Sequence, residues 1–324
     1  MKRLLLLIFS LALVLSLCSC APKVPDIQPE APPSAEETPA QTPTAEPIPA
    51  SPDTEEQEEP AIPDGVFEQG GEARYYLDGV PVEETGLVKL DGGLFYFCAD
   101  GTLFRFEGGV NDCEGMLFYH TGAESYALNL PERGLFDDGA ALYFVQEDGS
   151  LRTDGAEGYL TFGADGKYTS GSAEIDAAVE LLLQQSCEAE DADATQRLEA
   201  VFDYLRDNYR YLSMAHYEAG TEDWAAEAAE TFLRQGKGNC YGYAAAFMYC
   251  ARRLGYQAHV VAGHEGRVDN DHAWTMIDEA DGTYLYDVQL EYAYLYQFKL
   301  GEVDAFRMSD DGNSVYNGFA YYFP

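Results

Sequence analysis

Residues 236–255 read GKGNCYGYAAAFMYCARRLG, and the organisation of the C-terminal half follows from this stretch. Small and apolar residues recur at helical spacing after Cys240, which predicts a buried helix that begins at this cysteine. Arg252 and Arg253 in the last turn, with Gly255 just beyond, are typical of a helix end. Cys240 therefore lies at the positive end of a helix dipole, which favours a thiolate. The alternative is a small buried cysteine without a chemical role.

Alternating patterns predict three strands after this helix, over residues 257–264, 271–278 and 283–288. If the second and third strands form a hairpin around Asp281-Gly282 with a two- or four-residue loop, Asp287 lies opposite Met276 or Trp274, respectively. Either register places Asp287 on the same face as His272, because strand side chains alternate. A cysteine, a histidine and an aspartate so placed can act as nucleophile, base and orienting group.

Helical periodicity begins upstream, at Ser172. Ile175, Val179 and Leu182 share one face of a first helix, and two more helices are predicted over residues 194–209 and 224–235. These helices precede the strands, and both belong to one C-terminal region over residues 172–324.

Three motifs of this domain occur in a recognisable order. They are Gly-x-Gly-x-Cys-x-x-Tyr-Ala from Gly236, His-Ala-Trp from His272 and Tyr-x-Tyr-Asp from Tyr284. This order resembles the transglutaminase-like superfamily, over about residues 224–292. The resemblance implies a papain-type α+β fold with Cys240, His272 and Asp287 as catalytic residues. Many members have Asp-Pro-Thr or Asp-Thr-Trp at the last motif, whereas this chain has Asp287-Val288-Gln289, so the local turn is expected to differ.

Further site residues are weaker candidates. Trp274 follows the histidine closely and would exclude water, and Trp224 and Tyr241 are candidates for contact with the substrate or with an oxyanion. Tyr204 and Tyr217 are alternative oxyanion donors. The histidines near the second strand lack a recognised ligand spacing, so we expect neither a metal nor a cofactor.

The N-terminal segment has the features of a secretion signal. Met1-Lys2-Arg3 precedes an apolar run over residues 4–17, and Leu17-Cys18-Ser19-Cys20 follows. This resembles a bacterial lipoprotein signal, which implies a signal peptide at residues 1–19 and a lipidated Cys20. A cut before Cys18 and a plain signal peptide are the alternatives. The predicted location is the extracellular face of the bacterial membrane, with residues 20–65 as a disordered Pro/Glu-rich tether.

Residues 66–171 are predicted to form stacked β-hairpins that share one core. Aromatic runs precede Asp-Gly pairs, as at Asp100-Gly101 and Asp148-Gly149. The pattern resembles the cell-wall-binding repeats of Gram-positive surface proteins, but no tryptophan lies between residues 70 and 171 to capture choline. Binding of wall glycan and a purely structural spacer remain alternative interpretations. Cys98 and Cys113 either form a disulfide or stay as free thiols.

Composition narrows the function. The chain has 324 residues and a formal net charge of -38, which excludes a nucleic-acid partner on electrostatic grounds. The leading prediction is an extracellular, membrane-anchored thiol enzyme that acts on amide or peptide bonds of proteins or of the cell wall. Hydrolysis is favoured over crosslinking, because water is in excess. The alternative is a non-catalytic adhesion lipoprotein in which the triad is degenerate.

Overall fold

The computed structural model describes residues 62–187, 189 and 191–324. The predicted signal peptide, the lipidated Cys20 and residues 20–61 of the predicted tether lie outside these described residues. Within the described part of the chain, no helix combines the length and the apolar character needed to cross a membrane.

Antiparallel hairpins make up the chain before the first helix, and the hairpin architecture predicted for this part is confirmed. The strands are β1 (Gly65–Gln69), β2 (Glu72–Leu77), β3 (Val80–Pro81), β4 (Gly86–Leu90), β5 (Gly93–Phe97), β6 (Gly109–Cys113), β7 (Met116–His120), β8 (Gly134–Asp137), β9 (Leu142–Val145), β10 (Gly155–Glu157) and β11 (Leu160–Phe162). The first three strands form one sheet, and the others pair as β4–β5, β6–β7, β8–β9 and β10–β11.

The Asp-Gly pairs have a different place from the one predicted. Asp78-Gly79 connects β2 to β3, with both residues at positive φ. Asp100-Gly101, Asp148-Gly149 and Asp165-Gly166 instead follow the second strand of a hairpin and turn the chain back to a short antiparallel bridge. Asp148 illustrates the cause, because its Oδ1 accepts a hydrogen bond from the backbone N–H of Ser150 at 3.0 Å.

The hairpins do not share the single core expected from the sequence. Among the described residues, their buried side chains form four small clusters, of which one contains Phe106 and Phe118 and another Leu160 and Phe162. A two-stranded sheet has little surface to bury on one side, so each pair of neighbouring hairpins closes its own small interior.

The C-terminal part is a mixed helix and strand domain. Its elements are α1 (Ala173–Ser186), α2 (Ala194–Asn208), β12 (Arg210–Tyr211), α3 (Ala225–Gln235), β13 (Lys237–Gly238), α4 (Cys240–Arg253), β14 (Gln257–Glu265), β15 (Asp271–Glu279), β16 (Gly282–Tyr286), α5 (Val288–Tyr292), a π-helical turn (Ala293–Gln297), β17 (Val315–Tyr316) and β18 (Phe319–Tyr322). The main sheet is antiparallel, in the order β16-β15-β14-β18-β17. The sequence did not predict β17 and β18.

Helix α4 is buried on almost all of its faces, in agreement with the buried helix that the sequence predicted. Small residues permit this burial, since α3 lies on one side and the sheet on another. At Gly242, a Cβ atom would lie 2.6 Å from the ring of Phe232 in α3, so a side chain there would force the two helices apart. The start of α4, which carries Cys240, is therefore held rigidly.

Buried polar contacts join the hairpins to this helix. Arg253, in the last turn of α4, is 4% exposed and donates from Nη1 to Asp137 of β8 at 2.9 Å. Its Nε also bonds to Glu180 of α1. Nearby, the side chain of Gln257 accepts a hydrogen bond from the backbone N–H of Tyr159 at 2.7 Å. One guanidinium thus links a hairpin with two helices.

Candidate active site

Cys240 is the first residue of α4 and is 3% exposed. The parallel pair of β12 and β13 leads the chain into the helix, with Tyr211 opposite Gly238. Asn239 precedes the helix, but its side chain does not cap it and donates instead to the carbonyl of Ala215 at 3.2 Å. The thiol is therefore held at the positive end of the helix dipole, as the sequence predicted for a reactive cysteine.

His272 and Asp287 are in direct contact. His272 lies on β15 and Asp287 directly follows β16, and both side chains are buried. The ring atom Nε2 of His272 lies 2.6 Å from Oδ2 of Asp287. Because Nε2 is engaged in this way, Nδ1 is the ring nitrogen that remains to exchange a proton with another group.

The surroundings of His272 favour the imidazolium. Burial alone would lower its pKa, but the charge and hydrogen bond of Asp287, with a smaller contribution from Cys240, raise the pKa of His272 well above the ordinary value. An imidazolium next to a thiol stabilises the thiolate, which is the nucleophilic form of cysteine.

The register of the β15–β16 hairpin explains this contact. Its two-residue loop begins at Ala280, one residue earlier than the Asp-Gly turn expected from the sequence, because Gly282 is already the first residue of β16. The sequence predicts that a two-residue loop places Asp287 opposite Met276. Because the loop lies one residue earlier, the observed register places Asp287 opposite Trp274 instead. Asp287 remains on the face that carries His272, since the loop length is still even.

Asp287 also begins the next helix. Its Oδ1 accepts the backbone N–H of Leu290 at 2.9 Å, so the carboxylate caps α5 while its other oxygen contacts His272. The departure from the more common Asp-Pro-Thr motif thus coincides with a capped helical turn.

Tyr321 is a neighbour of this pair that the sequence did not reveal. Its hydroxyl donates to Oδ2 of Asp287 at 2.8 Å, and its side chain is fully buried on β18. Burial, together with the charge of Asp287, raises the pKa of Tyr321 well above the ordinary value, so the hydroxyl keeps its proton. Tyr321 is a positioning residue, because it acts on His272 through the carboxylate.

Replacing Tyr321 by phenylalanine should lower the free energy of unfolding by about 1–3 kcal/mol, because a buried hydrogen bond to a charged group is lost. Urea denaturation followed by circular dichroism measures this change. Tyr322→Phe is the matched control, since Tyr322 is 38% exposed and should change the free energy by less than about 0.5 kcal/mol. Equal midpoints for the two variants would show that the Tyr321 hydroxyl contributes nothing.

A cavity of about 360 Å³ opens beside these groups. Side chains and backbone from both sheet and helices line it. They are Tyr211, His216, Cys240, Glu265, Asn270, Asp271, His272, Gln289, Leu290, Ala293, Tyr294, Gln297, Phe298 and Leu300. The cavity is large enough for a peptide side chain together with the amide that carries it.

Two lining residues are candidates that the sequence did not indicate. Tyr211 lines the cavity together with Cys240, and burial, with a smaller contribution from Cys240, raises the pKa of its hydroxyl. Glu265 ends β14 on the same side of the sheet as His272, two residues beyond Gly263, which pairs with His272. Only the contacts across the folded chain reveal these two residues, since neither belongs to a recognisable motif.

The weaker candidates do not line the cavity. The indole N–H of Trp224 donates to the carbonyl of Thr221 at 2.6 Å, and the hydroxyl of Tyr241 donates to the carbonyl of Tyr217 at 3.1 Å. Trp274 is fully buried and packs edge-on against Tyr321. All three support the walls of the site from behind, and the donors of Trp224 and Tyr241 are already engaged.

Of the remaining histidines, His120 ends β7 in the hairpin region, and the other three lie on the main sheet or beside the cavity. His216 and His264 both approach Asp271, at 3.4 and 3.2 Å, respectively. His259 stacks on Tyr159 of the hairpin region. Across residues 62–187, 189 and 191–324, no group of three or more histidine, cysteine or acidic side chains is arranged to hold a metal ion.

Several known structures resemble parts of this chain. CbpJ from Streptococcus pneumoniae TIGR4 has 16% sequence identity and a TM-score of 0.25, over 33% of this chain and 34% of that one. A TGase has 15% identity and a TM-score of 0.31, over 45% and 38%. The periplasmic domain of TgpA from Pseudomonas aeruginosa has 15% identity and a TM-score of 0.26, over 52% and 70%. This chain therefore spans about a third of the first of these proteins.

Comparison with curated proteins gives no match. A sequence model of the transglutaminase-like superfamily, however, matches residues 182–285. The matched stretch includes Cys240 and His272 and ends two residues before Asp287. The predicted fold class is confirmed, and residues 182–285 of this chain are similar to the transglutaminase-like superfamily.

Proposed function

We propose that this protein is a thiol enzyme that acts on amide or peptide bonds through Cys240, His272 and Asp287. The observation that carries the proposal is the buried 2.6 Å contact between His272 and Asp287, beside a cavity that Cys240 also lines. The match of residues 182–285 to a superfamily whose domains are often thiol enzymes supports it.

The chemistry follows from the roles of these groups. The thiolate of Cys240 attacks the carbonyl carbon of an amide, and the C–N bond breaks as His272 gives its Nδ1 proton to the leaving nitrogen. An acyl thioester and a free amine result. His272, now neutral, accepts a proton from the second nucleophile, which attacks the thioester and restores the thiolate. Asp287 keeps the ring in place and stabilises the imidazolium throughout.

The second nucleophile decides the reaction class. Water gives a peptidase or amidase, and an amine gives a crosslinking acyltransferase. We favour hydrolysis, because the cavity is open to solvent and water is the more abundant acceptor. The predicted lipid anchor at Cys20 would hold the enzyme at the extracellular face of the membrane, where proteins and cell-wall peptides are the available substrates.

The hairpins serve this enzyme best as a spacer. Arginines of the chain already lie over two aromatic rings of the hairpin region. Arg152 lies 6.0 Å from the ring centre of Phe144, and Arg105 lies 5.8 Å from that of Tyr126. The alternative is an adhesion lipoprotein whose hairpins bind wall glycan, and the reactivity of Cys240 separates the two functions.

The rate of alkylation by iodoacetamide at about pH 6 tests the proposal. Cys187 is an internal reference, because it is more exposed than Cys240 and exposure alone would make it react faster. We expect Cys240 to react at least ~10-fold faster, since the imidazolium of His272 stabilises the thiolate, the nucleophilic form of cysteine. Peptide-resolved mass spectrometry measures the two rates.

Two histidine variants complete this experiment. His272→Ala should slow the alkylation of Cys240 by about 10- to 100-fold, because the imidazolium that stabilises the thiolate is lost. His259→Ala is the matched control, since His259 lies on the neighbouring strand and does not line the cavity. If Cys240 reacts no faster than Cys187 in the wild-type protein, the enzyme is excluded and the adhesion alternative is favoured.

A further inference from the structure

Apart from histidines, the charged side chains that line the cavity are acidic. Among the described residues that line it, there is no lysine or arginine, whereas Glu265 and Asp271 both contribute carboxylates. Under the proposed function, the thiolate of Cys240 and the imidazolium of His272 cancel each other. Asp287 adds a further negative charge directly behind the histidine. The site therefore presents an excess of negative charge to any substrate.

Glu265 is the member of this set that lacks a strong partner. Asp271 has the rings of His216 and His264 within 3.4 Å. The Glu265 carboxylate, in contrast, accepts only a 3.3 Å hydrogen bond from the side chain of Asn270, and no arginine or lysine pairs with it in the part of the chain that the structure describes. It is half-buried, and burial raises its pKa, an effect that the charge of His272 offsets only in part.

Two other shielded carboxylates of this protein are each paired with an arginine. Glu291 is held by Arg206 at 2.8 Å, and Glu279 by Arg307 at 2.8 Å. A carboxylate that is removed from water without a cation carries an uncompensated desolvation cost. At Glu265 this cost falls inside the cavity, where a positively charged ligand would offset it.

We propose that the cavity selects a substrate with a cationic group, an ammonium or a guanidinium, close to the amide that is attacked, and that Glu265 is the counter-ion of that group. The inference rests on the proposed function and adds the substrate class. Asn270 holds the carboxylate from one side, and the other side faces the cavity that Cys240 and His272 line. Glu265 is thus a specificity-determining residue and takes no part in bond cleavage.

Three thiol reagents of similar size and different charge test this inference without a known substrate. They are aminoethyl methanethiosulfonate, a cation, sulfonatoethyl methanethiosulfonate, an anion, and methyl methanethiosulfonate, which is neutral. Each charged rate at Cys240 is divided by the neutral rate for the same protein, so that general changes in reactivity cancel. Peptide-resolved mass spectrometry gives all three rates.

The wild-type protein should prefer the cation, and Glu265→Gln should reduce the cation-to-anion ratio by about tenfold, as expected for the loss of one charge at a few ångströms from the thiol. Glu84→Gln is the control, because it removes the same charge at an exposed position of the hairpin region and should leave the ratio unchanged. The control separates Glu265 from the overall charge of -38, which attracts cations to every thiol.

An unchanged ratio in Glu265→Gln would overturn the inference and leave the proposed enzyme intact. If the neutral reagent modifies Cys240 no faster than Cys187 in the wild-type protein, the proposed function fails, and this inference fails with it. Glu265→Ala repeats the comparison if the glutamine variant does not show a cooperative unfolding transition.

Discussion

Asp287→Ala is expected to lower the free energy of unfolding by about 3–5 kcal/mol and to abolish the rapid alkylation of Cys240. The carboxylate of Asp287 accepts hydrogen bonds from three buried donors: Nε2 of His272, the hydroxyl of Tyr321 and the backbone N–H of Leu290. Alanine leaves all three without an acceptor, and it leaves a charged imidazolium without its counter-ion.

The loss should depend on pH in a defined direction. The pKa of His272 is raised in the folded protein, so its pairing with Asp287 stabilises the fold fully below the unfolded pKa of about 6.5. That contribution is lost as the pH rises through the higher pKa of the folded state. Urea denaturation at about pH 6 should therefore show a larger effect of Asp287→Ala than denaturation at alkaline pH.

Two further variants sharpen this test. Asp271→Ala is the matched control, because Asp271 is an exposed carboxylate in the same cavity and should cost less than about 1 kcal/mol. Asp287→Asn retains an oxygen that can accept hydrogen bonds, so it should keep more stability than alanine while still slowing Cys240. If Asp287→Ala and Asp271→Ala unfold at the same urea concentration, the carboxylate of Asp287 is not the buried centre described above.

The second large effect is expected at Arg253. Arg253→Ala should lower the free energy of unfolding by about 3–5 kcal/mol, because it leaves Glu180 and Asp137 as carboxylates without their buried cation. Both carboxylates bond to the guanidinium, Asp137 at 2.9 Å. Because Asp137 belongs to a hairpin, hydrogen exchange in β8 and β9 should also become faster.

Arg234→Ala is the matched control for Arg253→Ala. Arg234 occupies the last turn of α3, as Arg253 does in α4, but its side chain is 66% exposed and lies 3.5 Å from Glu230. Its removal should cost less than about 0.5 kcal/mol. Chemical denaturation of the two variants under the same conditions compares them, and equal losses of stability would contradict a buried ion pair at Arg253.

Local patterns predicted much of the domain. The helix that begins at Cys240 follows from small residues at helical spacing and from the glycine after Leu254. The side of the sheet on which Asp287 lies follows from strand alternation alone, because any even loop gives the same face. For this reason the one-residue error in the position of the turn did not change the neighbours of His272.

Other features lay beyond local patterns. Tyr321 reaches Asp287 across 34 residues of chain, and the short strand that carries it follows a stretch without periodicity. Tyr211 and Glu265 line the cavity only because β12 and the end of β14 meet there in the folded protein. Side chains that converge from distant segments have no characteristic spacing in the sequence, so only the folded structure shows that they are neighbours.

The cap that Asp287 provides for α5 connects the wall of the cavity to His272. The same short helix and the turn after it supply Leu290, Ala293 and Tyr294 to the cavity wall. A displacement of this wall would therefore move the carboxylate that orients His272. The opposite wall is linked to the same carboxylate, because Glu265 at the end of β14 pairs with Tyr321 of β18, whose hydroxyl donates to Asp287. Contacts on either wall therefore reach the residue that orients His272.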